Sequence, residues 1–417
     1  MNKNVFNEIL INEVKSKIKK IGFWKSPGVD RLQNYWWYKF SSSHYHLTKI
    51  YNNLLRNPQD IPNWMFKGIT RLIPKKDDTK NPANYRPITC LPIVYKILTG
   101  VLTSRMMEHL QSNNLIPEEQ KGGISDCYGC VDQLIINSMI LDDAKKRNKN
   151  ISIAWIDYKK AFDKIPHTCL IKSLEVHGFD DNTINFFKEG INKWKTNLKI
   201  SAENKEIITD VIEINSGILQ GDCPSGLHFI ICLLPLTFLL KKSKLGYFVG
   251  KSNSPDSLVN HLLFMDDLKL YASNDNQLNT LINITKLFSD DIRMSFGFDK
   301  CNKITIKRGY LQQTGDIILD KDETIKELDH SKIYIYLGVT ERDKVFNKDL
   351  KKEIKEEYFK RLKKVMKSKL NSLNIISAIN TFAISSVTYG FQILDWSITE
   401  LEELDRDTRK ILKRNKI

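Results

Sequence analysis

The stretch His261-Leu-Leu-Phe-Met-Asp-Asp-Leu-Lys-Leu-Tyr-Ala272 sets two adjacent carboxylates, Asp266 and Asp267, between two short apolar runs. Leu262 to Met265 and Leu268 to Tyr271 read as strands, and the acid pair between them reads as the tight turn of a β-hairpin. Such a turn would present both acids at the tip of a sheet, where a hydrated divalent cation can reach them. Aspartate is also among the commonest turn residues, so the pair taken alone reads first as a polar turn. The rest of the chain decides between the two.

A second acid stands at the end of another apolar run. Ile151, Ile153 and Trp155 alternate with Ser152 and Ala154, which predicts a half-buried strand closed by Asp157. Tyr158 to Asp163 is helical in character until Pro166 breaks it. An acid in this place either holds a metal or caps the following helix. Three carboxylates on neighbouring strand ends are what a two-metal phosphoryl transfer needs, with ions roughly 3.5–4 Å apart. Mg²⁺ suits such a set, because it prefers hard oxygen ligands and keeps several waters.

The charge balance points the same way. With 64 Lys+Arg against 49 Asp+Glu, the 417-residue chain carries +15 and a pI near 9.2. A surface so basic favours a polyanion such as nucleic acid, although excess charge also serves solubility. Seven scattered cysteines show no disulfide framework, which favours a reducing compartment. Cys127-Tyr-Gly-Cys130 has zinc-knuckle spacing but no second Cys/His pair near it, and reads as a loop. The N-terminal 20 residues lack the apolar core of a signal peptide. The longest apolar run, Phe229 to Leu240, is broken by Pro235 and reads as too short to span a bilayer, so a soluble protein without a membrane partner is expected.

Other stretches supply further candidates. Residues 5–20 have apolar positions at helical spacing, and the aromatics Trp36, Trp37, Tyr38 and Phe40 read as core. Gly68 to Lys76 and Tyr85 to Pro92 read as a hairpin arm on which Arg71, Lys75, Lys76 and Arg86 share one side. That arrangement suits a triphosphate, since Arg forks onto phosphate oxygens and Lys acts as a point charge; a solvated edge strand carries the same residues. Gly217 and Gly221 bracket Gln220 in a loop where backbone can approach a ligand closely. Tyr334 to Val339 reads as a strand ending in glycine. The tail reads as helical, with Tyr358, Leu362, Val365, Met366 and Leu370 on one face and Lys360, Lys363, Lys364 and Lys367 elsewhere.

The ordered set Leu72-Ile-Pro-Lys-Lys with Asn84-Tyr-Arg-Pro-Ile, Ile156-Asp-Tyr-Lys-Lys-Ala-Phe-Asp163, Gly217-Ile-Leu-Gln-Gly-Asp, Phe264-Met-Asp-Asp-Leu, Asp299-Lys-Cys and Tyr336-Leu-Gly resembles the reverse transcriptase domain of non-LTR (LINE-type) retrotransposons. Ala378-Ile-Asn380, Trp396, Leu404-Asp405 and Thr408-Arg-Lys410 resemble the thumb of the branch that carries a restriction-like endonuclease. The resemblance implies an α+β right-hand polymerase: an N-terminal extension over 1–60, fingers over 61–150, a palm with an antiparallel sheet over 151–340 that includes a fingers segment near 168–215, and a helical thumb over 341–417. It implies RNA-directed DNA synthesis on an RNA template from a DNA primer and dNTPs, with two Mg²⁺ ions for which Mn²⁺ can substitute. Asp157, Asp266 and Asp267 become metal ligands, with the Tyr158 carbonyl a further candidate. Lys75 and Arg86 become triphosphate contacts, Phe162 a sugar gate whose ring would clash with a 2′-hydroxyl, and Gln220 and Gly221 the floor of the nucleotide pocket. Lys300 takes the place of the lysine that protonates pyrophosphate, with Lys303 as the other alignment. The thumb lysines fall where duplex would lie, and a nuclear location is expected from the resemblance.

The chain also departs from the family pattern. Ser225 is followed by Gly226 where a proline is usual, His228 precedes Phe229 where an apolar residue is usual, and the family's Pro-Gly-x-Asp-Gly ends here in Arg31. These changes read as drift in a decaying copy whose three carboxylates survive. Family members add zinc fingers before the polymerase and an endonuclease after it. The expectation is therefore polymerase chemistry without self-contained target cleavage, the alternative being a decayed copy that only binds RNA or DNA. A third reading, an RNA-directed RNA polymerase, is disfavoured by Phe162.

Overall fold

Ile151-Ser-Ile-Ala-Trp-Ile156 is rich in β-branched and aromatic residues, and it forms a central strand of a seven-stranded sheet. In the computed structural model, which describes residues 5–75, 80–124, 127–202, 205–251, 254–329, 331–345 and 347–415, the chain is α+β as expected. It divides into two compact units, one of Met1–Gly123, Tyr158–Lys242 and Ile284–Gly297, the other of Ile124–Asp157, Ser243–Asn283 and Phe298–Ile417.

The second unit holds the seven-stranded sheet. Its strand order is Ile317–Asp320, Glu323–Glu327, Asn302–Lys307, Ile151–Ile156, Asp267–Ala272, His261–Phe264, and Tyr310–Gln312 pairs with Asn302–Lys307. One face is covered by Leu134, Ile140, Leu141 and Ala144 of helix Cys130–Lys146, which pack with Ile151, Ile153, Trp155, Tyr271, Ile304 and Ile306. Strand Ile151–Ile156 is buried on both faces, not half-buried. The polar positions are inward too, because Ser152 Oγ donates to Asp275 Oδ1 at 2.6 Å, beside Thr305 Oγ1, which donates to the same oxygen. Alternation in sequence does not distinguish a solvated face from one whose hydroxyls are satisfied internally.

Tyr334 to Val339 is not one strand but the core of a second hairpin. Tyr334–Tyr336 pairs with Val339–Glu341 around Leu337 and Gly338, both at positive φ (48° and 79°), as a two-residue turn requires. The C-terminal helices Asn347–Met366 and Ile398–Arg414 pack through Tyr358, Leu362 and Leu404. Val365 and Met366 join that cluster, whereas Leu370 lies beyond the helix and is exposed.

In the first unit, strand Lys67–Pro74 pairs antiparallel with Tyr85–Cys90 and parallel with Lys195–Ala202. A buried hydroxyl ladder crosses the three strands, Thr70 Oγ1 lying 2.8 Å from both Thr89 Oγ1 and Thr196 Oγ1. Helix Ser225–Lys242 outgrows the apolar run and continues through Pro235. By length and hydropathy it could cross a membrane, correcting the reading that it is too short, but 67% of it is buried inside the protein. The N-terminal aromatics correct another expectation, since Trp36, Tyr38 and Phe40 are exposed. The buried residue of helix Asn34–Lys39 is Asn34, whose Nδ2 donates to Ile18 O and Ile21 O and closes the end of helix Ile11–Lys20. That first helix begins only at Ile11 because Asn52 pairs with the backbone of Ile9 in both directions.

Two departures from the family pattern have physical costs here. Arg31 has φ of 57°, in the region that glycine occupies freely. The left-handed conformation costs a side-chain-bearing residue about 1–2 kcal/mol, of which glycine's greater unfolded freedom returns about 0.5–1 kcal/mol. Arg31→Gly is expected to stabilise the protein by about 0.5–1 kcal/mol in denaturant titration; a loss of stability would contradict this account. His228 is buried with its ring edge on Phe187 at 4.5 Å, and its Nε2 has no hydrogen-bond partner among the described residues. Burial lowers its pKa from 6.5 to about 3. Below pH 6.5 the unfolded chain therefore binds a proton that the folded chain refuses, so this group makes stability fall as pH drops. His228→Leu should raise the melting temperature and flatten its acid limb between pH 6.5 and 4; an unchanged acid limb would refute the assignment.

Candidate active site

Opposed residues in an antiparallel pair share a face of the sheet. Strand Ile151–Ile156 is paired on one side with Asp267–Ala272, Leu268 opposite Ile156, and on the other with Asn302–Lys307, Asn302 opposite Trp155. One step past Leu268 and Ile156, Asp267 comes opposite Asp157. Two steps past Asn302 and Trp155, Lys300 comes opposite the same Asp157. Lys300 Nζ indeed lies 3.0 Å from Asp157 Oδ2. The structure thus brings Asp157, Asp267 and Lys300 side by side at adjoining strand ends.

The hairpin turn is shifted by one residue from the sequence reading. Phe264 pairs with Asp267, so the turn residues are Met265 and Asp266, and Asp267 opens the second strand. Asp267 pairs with Phe264 and leads directly into Leu268–Ala272, the run that pairs with the strand Ile151–Ile156. Met265 takes φ of 55°, the positive value that tight hairpin turns demand of their first residue. The two acids accordingly come from different places, Asp266 from the turn and Asp267 from the strand.

Electrostatics follow from this crowding. Burial, then the charges of Asp266 and Asp157, push the Asp267 carboxyl up to about 6 against the opposing pull of Lys300. Burial alone would lower the Lys300 ammonium, but its hydrogen bond to Asp157 and the charges of Asp157, Asp299 and Asp266 raise it. The Asp157 backbone is held by Cys301, which the sequence placed in the Asp299-Lys-Cys motif but gave no role. Its N–H donates to Cys301 Sγ at 3.4 Å and the thiol donates back to the Asp157 carbonyl at 3.6 Å. Burial pushes that thiol up to about 12, so Cys301 acts as a bonding group and not a nucleophile. Lys303 is buried, with Nζ on Thr314 Oγ1 at 2.8 Å and Asp275 Oδ2 at 3.3 Å. Of the two candidate lysines, Lys300 stands at the acids.

Among the described residues no three carboxylate, imidazole or thiol groups already converge as a closed metal cage. Mg²⁺ does not require one, since it typically takes one or two carboxylates and completes its shell with waters and substrate phosphates. Asp157, Asp266 and Asp267 fit that use. Their donors are all hard oxygens, their mutual repulsion calls for a counter-charge, and the ammonium on Asp157 marks a place that attracts a cation.

The nucleotide-contact candidates lie in the first unit and form their own frame. Arg86 is opposite Ile73 in the hairpin, so Arg71, Lys75 and Arg86 share a side, as expected; Lys76 lies outside the described residues. Thr89 of the same strand donates its N–H to Gln220 O at 2.7 Å. Gly221 is required there, because a Cβ would sit 2.6 Å from the Thr89 carbonyl and φ is 117°. Gln220 Nε2 donates to Asp163 Oδ1 at 3.1 Å, and Ile218 N donates to Phe162 O at 2.8 Å. The Phe162 ring stacks on Phe229 at 4.5 Å. Lys75, Arg86, Gln220, Gly221 and Phe162 therefore belong to one continuous hydrogen-bonded framework. Tyr158 is different: its side chain is buried, with the hydroxyl 3.1 Å from Ser289 Oγ and the ring edge on Phe296, and its backbone bridges to Phe296.

Lys360, Lys363, Lys364 and Lys367 line a groove of about 750 Å³ together with Lys410 and Arg414 of helix Ile398–Arg414. The last two were not among the nucleic-acid-contact candidates, although Lys410 falls in the stretch Thr408-Arg-Lys410 that carries the resemblance. The signal available was their own i,i+4 spacing, which puts them on one side of the helix.

The raised Asp267 pKa carries a sign. Between its ordinary 3.8 and about 6 the folded protein holds a proton that the unfolded chain releases, so in metal-free protein this group lowers stability as pH rises through that window. A divalent ion must displace the same proton. Mg²⁺-induced thermal stabilisation should therefore weaken by up to about tenfold in apparent affinity per pH unit below 6, and Asp266→Asn should move that onset to lower pH. Equal Mg²⁺ affinity at pH 5 and pH 7 would contradict it.

The family model described as reverse transcriptase (RNA-dependent DNA polymerase) matches residues 73–341. A retrovirus-related Pol polyprotein from a type-1 retrotransposable element R2 of Popillia japonica is 25% identical over 83% of this chain and 47% of its own length. The R2DM Pol polyprotein of Drosophila melanogaster is 26% identical over 61% of this chain and 23% of its own, and a transposon TX1 protein of Xenopus laevis is 24% identical over 64% and 20%. The chain thus spans less than half the length of these relatives. Among solved structures, an apo telomerase from Candida tropicalis aligns with 70% of this chain and 60% of its own at 14% identity and a TM-score of 0.43. On the match over residues 73–341, the chain belongs to the reverse transcriptase (RNA-dependent DNA polymerase) family.

Proposed function

We propose that the chain is an RNA-directed DNA polymerase of a non-LTR retrotransposon, which extends a DNA 3′-hydroxyl along an RNA template using dNTPs. The observation that supports this most is the side-by-side placement of Asp157 and Asp267 at paired strand ends, with Asp266 in the adjoining turn. Two Mg²⁺ ions, or Mn²⁺ in their place, held by these three acids would activate the 3′-hydroxyl and offset charge on the departing pyrophosphate. Lys300 keeps its proton at Asp157 and is the group assigned to donate it to pyrophosphate. Lys75 and Arg86 bind the triphosphate, Gln220 and Gly221 form the floor under the nucleotide, and the Phe162 ring, fixed by Phe229, excludes a 2′-hydroxyl. The lysines of the C-terminal groove hold the phosphate backbone of the duplex. A nuclear location belongs to this proposal and rests on the family resemblance alone.

A second reading, a copy that binds RNA or DNA without turnover, is supported by Arg31 in a glycine conformation and by the unpaired nitrogen of buried His228. One assay separates the two. Wild type should extend a DNA primer on an RNA template with Mg²⁺ and dNTPs, and Asp266→Ala should lose roughly 10²–10³-fold or more. Salt-sensitive template-primer binding with no extension in either protein would leave only the binding reading. The sugar gate has its own test: Phe162→Val should raise incorporation of ribonucleotides relative to deoxynucleotides by about tenfold or more, which corresponds to 1.4 kcal/mol or more. Unchanged sugar selectivity would remove the gate.

A further inference from the structure

Lys269 and Glu341 are both fully buried, and the lysine is two positions along the strand from Asp267. Strand alternation puts Asp267, Lys269 and Tyr271 on one face. On the paired strand Trp155 is opposite Lys269 and belongs to the same face as Asp157. Lys269 Nζ donates to Glu341 Oε1 and, at 2.6 Å, to Asn137 Oδ1. Trp155 Nε1 donates to the same Glu341 Oε1 at 2.7 Å, and Asn137 Nδ2 donates to Glu341 Oε2 at 2.5 Å. Tyr271 OH donates to Asn137 Oδ1 at 2.8 Å. The ammonium also lies over the rings of Trp155 and Tyr336, 4.8 and 4.7 Å from their centroids.

The network has a geometric consequence. One carboxylate, Glu341, is bonded to both acid-bearing strands, to the Asp267 strand through Lys269 and to the Asp157 strand through Trp155. It joins them two residues below the acids and anchors the pair to helix Cys130–Lys146 through Asn137 and to the hairpin that ends in Glu341. Stability alone does not call for such a pair, since desolvating two charges offsets much of their attraction and a neutral packed pair of similar volume serves as well. Specifying one lateral arrangement of two strands does call for it.

We infer that Lys269 and Glu341 form a positioning pair that sets the spacing of Asp157 and Asp267 for divalent cations. The inference rests on the metal-binding reading of the three acids. Neither residue touches the reacting atoms; the pair acts through the strands that carry the ligands, as outer partners of metal sites do.

The test measures Mn²⁺ affinity by electron paramagnetic resonance on the full chain, with thermal unfolding followed in parallel. Lys269→Met/Glu341→Gln removes both charges together, so neither is left buried alone. It is expected to melt near the wild-type temperature yet bind Mn²⁺ about 10–100-fold more weakly, while Asp267→Asn marks the loss of the site itself. A double variant with wild-type Mn²⁺ affinity, in a protein whose Asp267→Asn form has lost it, overturns the inference and leaves the metal reading standing. Wild type that binds no Mn²⁺ at the acids overturns the metal reading and the inference with it. Trp155→Phe keeps an aromatic ring in the core and removes the donor to Glu341, so it reads the same link if the double variant does not fold. Weakened Mn²⁺ binding there supports the inference, and unchanged binding overturns it.

Discussion

Because cross-strand partners share a face, the ladder that opposes Leu268 to Ile156 and Asn302 to Trp155 determines where Asp157, Asp267 and Lys300 emerge. A slip of one residue on either side would carry an acid or the ammonium to the opposite face. The register is in turn held by what lies below it. Ile151, Ile153, Tyr271, Ile304 and Ile306 are buried against helix Cys130–Lys146, and a one-residue slip would turn a strand's apolar side chains away from that helix. The position of the charged end of the sheet is thus a consequence of packing at its apolar end.

Gathering carboxylates this closely has a cost that shows in their chemistry. Asp267 holds its proton to about pH 6, and Lys300 is drawn onto Asp157 as a resident counter-cation. A divalent ion would relieve the repulsion that the fold imposes, which makes the metal-free cluster the higher-energy state and the loaded one its complement. The second unit's buried charges follow a related logic, since Lys269, Glu341 and Asn137 satisfy one another and fix strands instead of binding a ligand. The acids of the candidate site and the buried structural charges occupy the same sheet face, separated by two residues and by exposure to solvent.

Much of this was legible in the sequence, for identifiable reasons. Asp266 and Asp267 interrupt apolar runs that are too short for a helix, and Asp157 ends a β-branched run, so the acids and their strands could be named from local pattern. The basic side of the Lys67–Pro74 hairpin followed from the same alternation. What sequence did not show depends on partners distant in the chain. The turn falls at Met265-Asp266 because Asp267 is claimed by a neighbouring strand. Ser152 reads as solvated until Asp275 is seen to accept its proton. Lys269 was given no role in the sequence, and Glu341 and Asn137, far along the chain on either side, are what hold it inward. The aromatics of helix Asn34–Lys39 misled in the opposite sense, because hydrophobicity does not reveal that Asn34 is the residue whose hydrogen bonds hold the helix in place.

The proposed function requires Asp157 and Asp267, set side by side by the ladder, to seat a divalent cation where the Lys300 ammonium now meets Asp157. Anomalous diffraction from crystals soaked in Mn²⁺ tests it most directly. A peak between Asp157 and Asp267, with the Lys300 ammonium displaced from Asp157 Oδ2, is the predicted result. Crystals in which Lys300 keeps its hold on Asp157 and no peak appears at the acids, while Mn²⁺ is seen elsewhere, would contradict it.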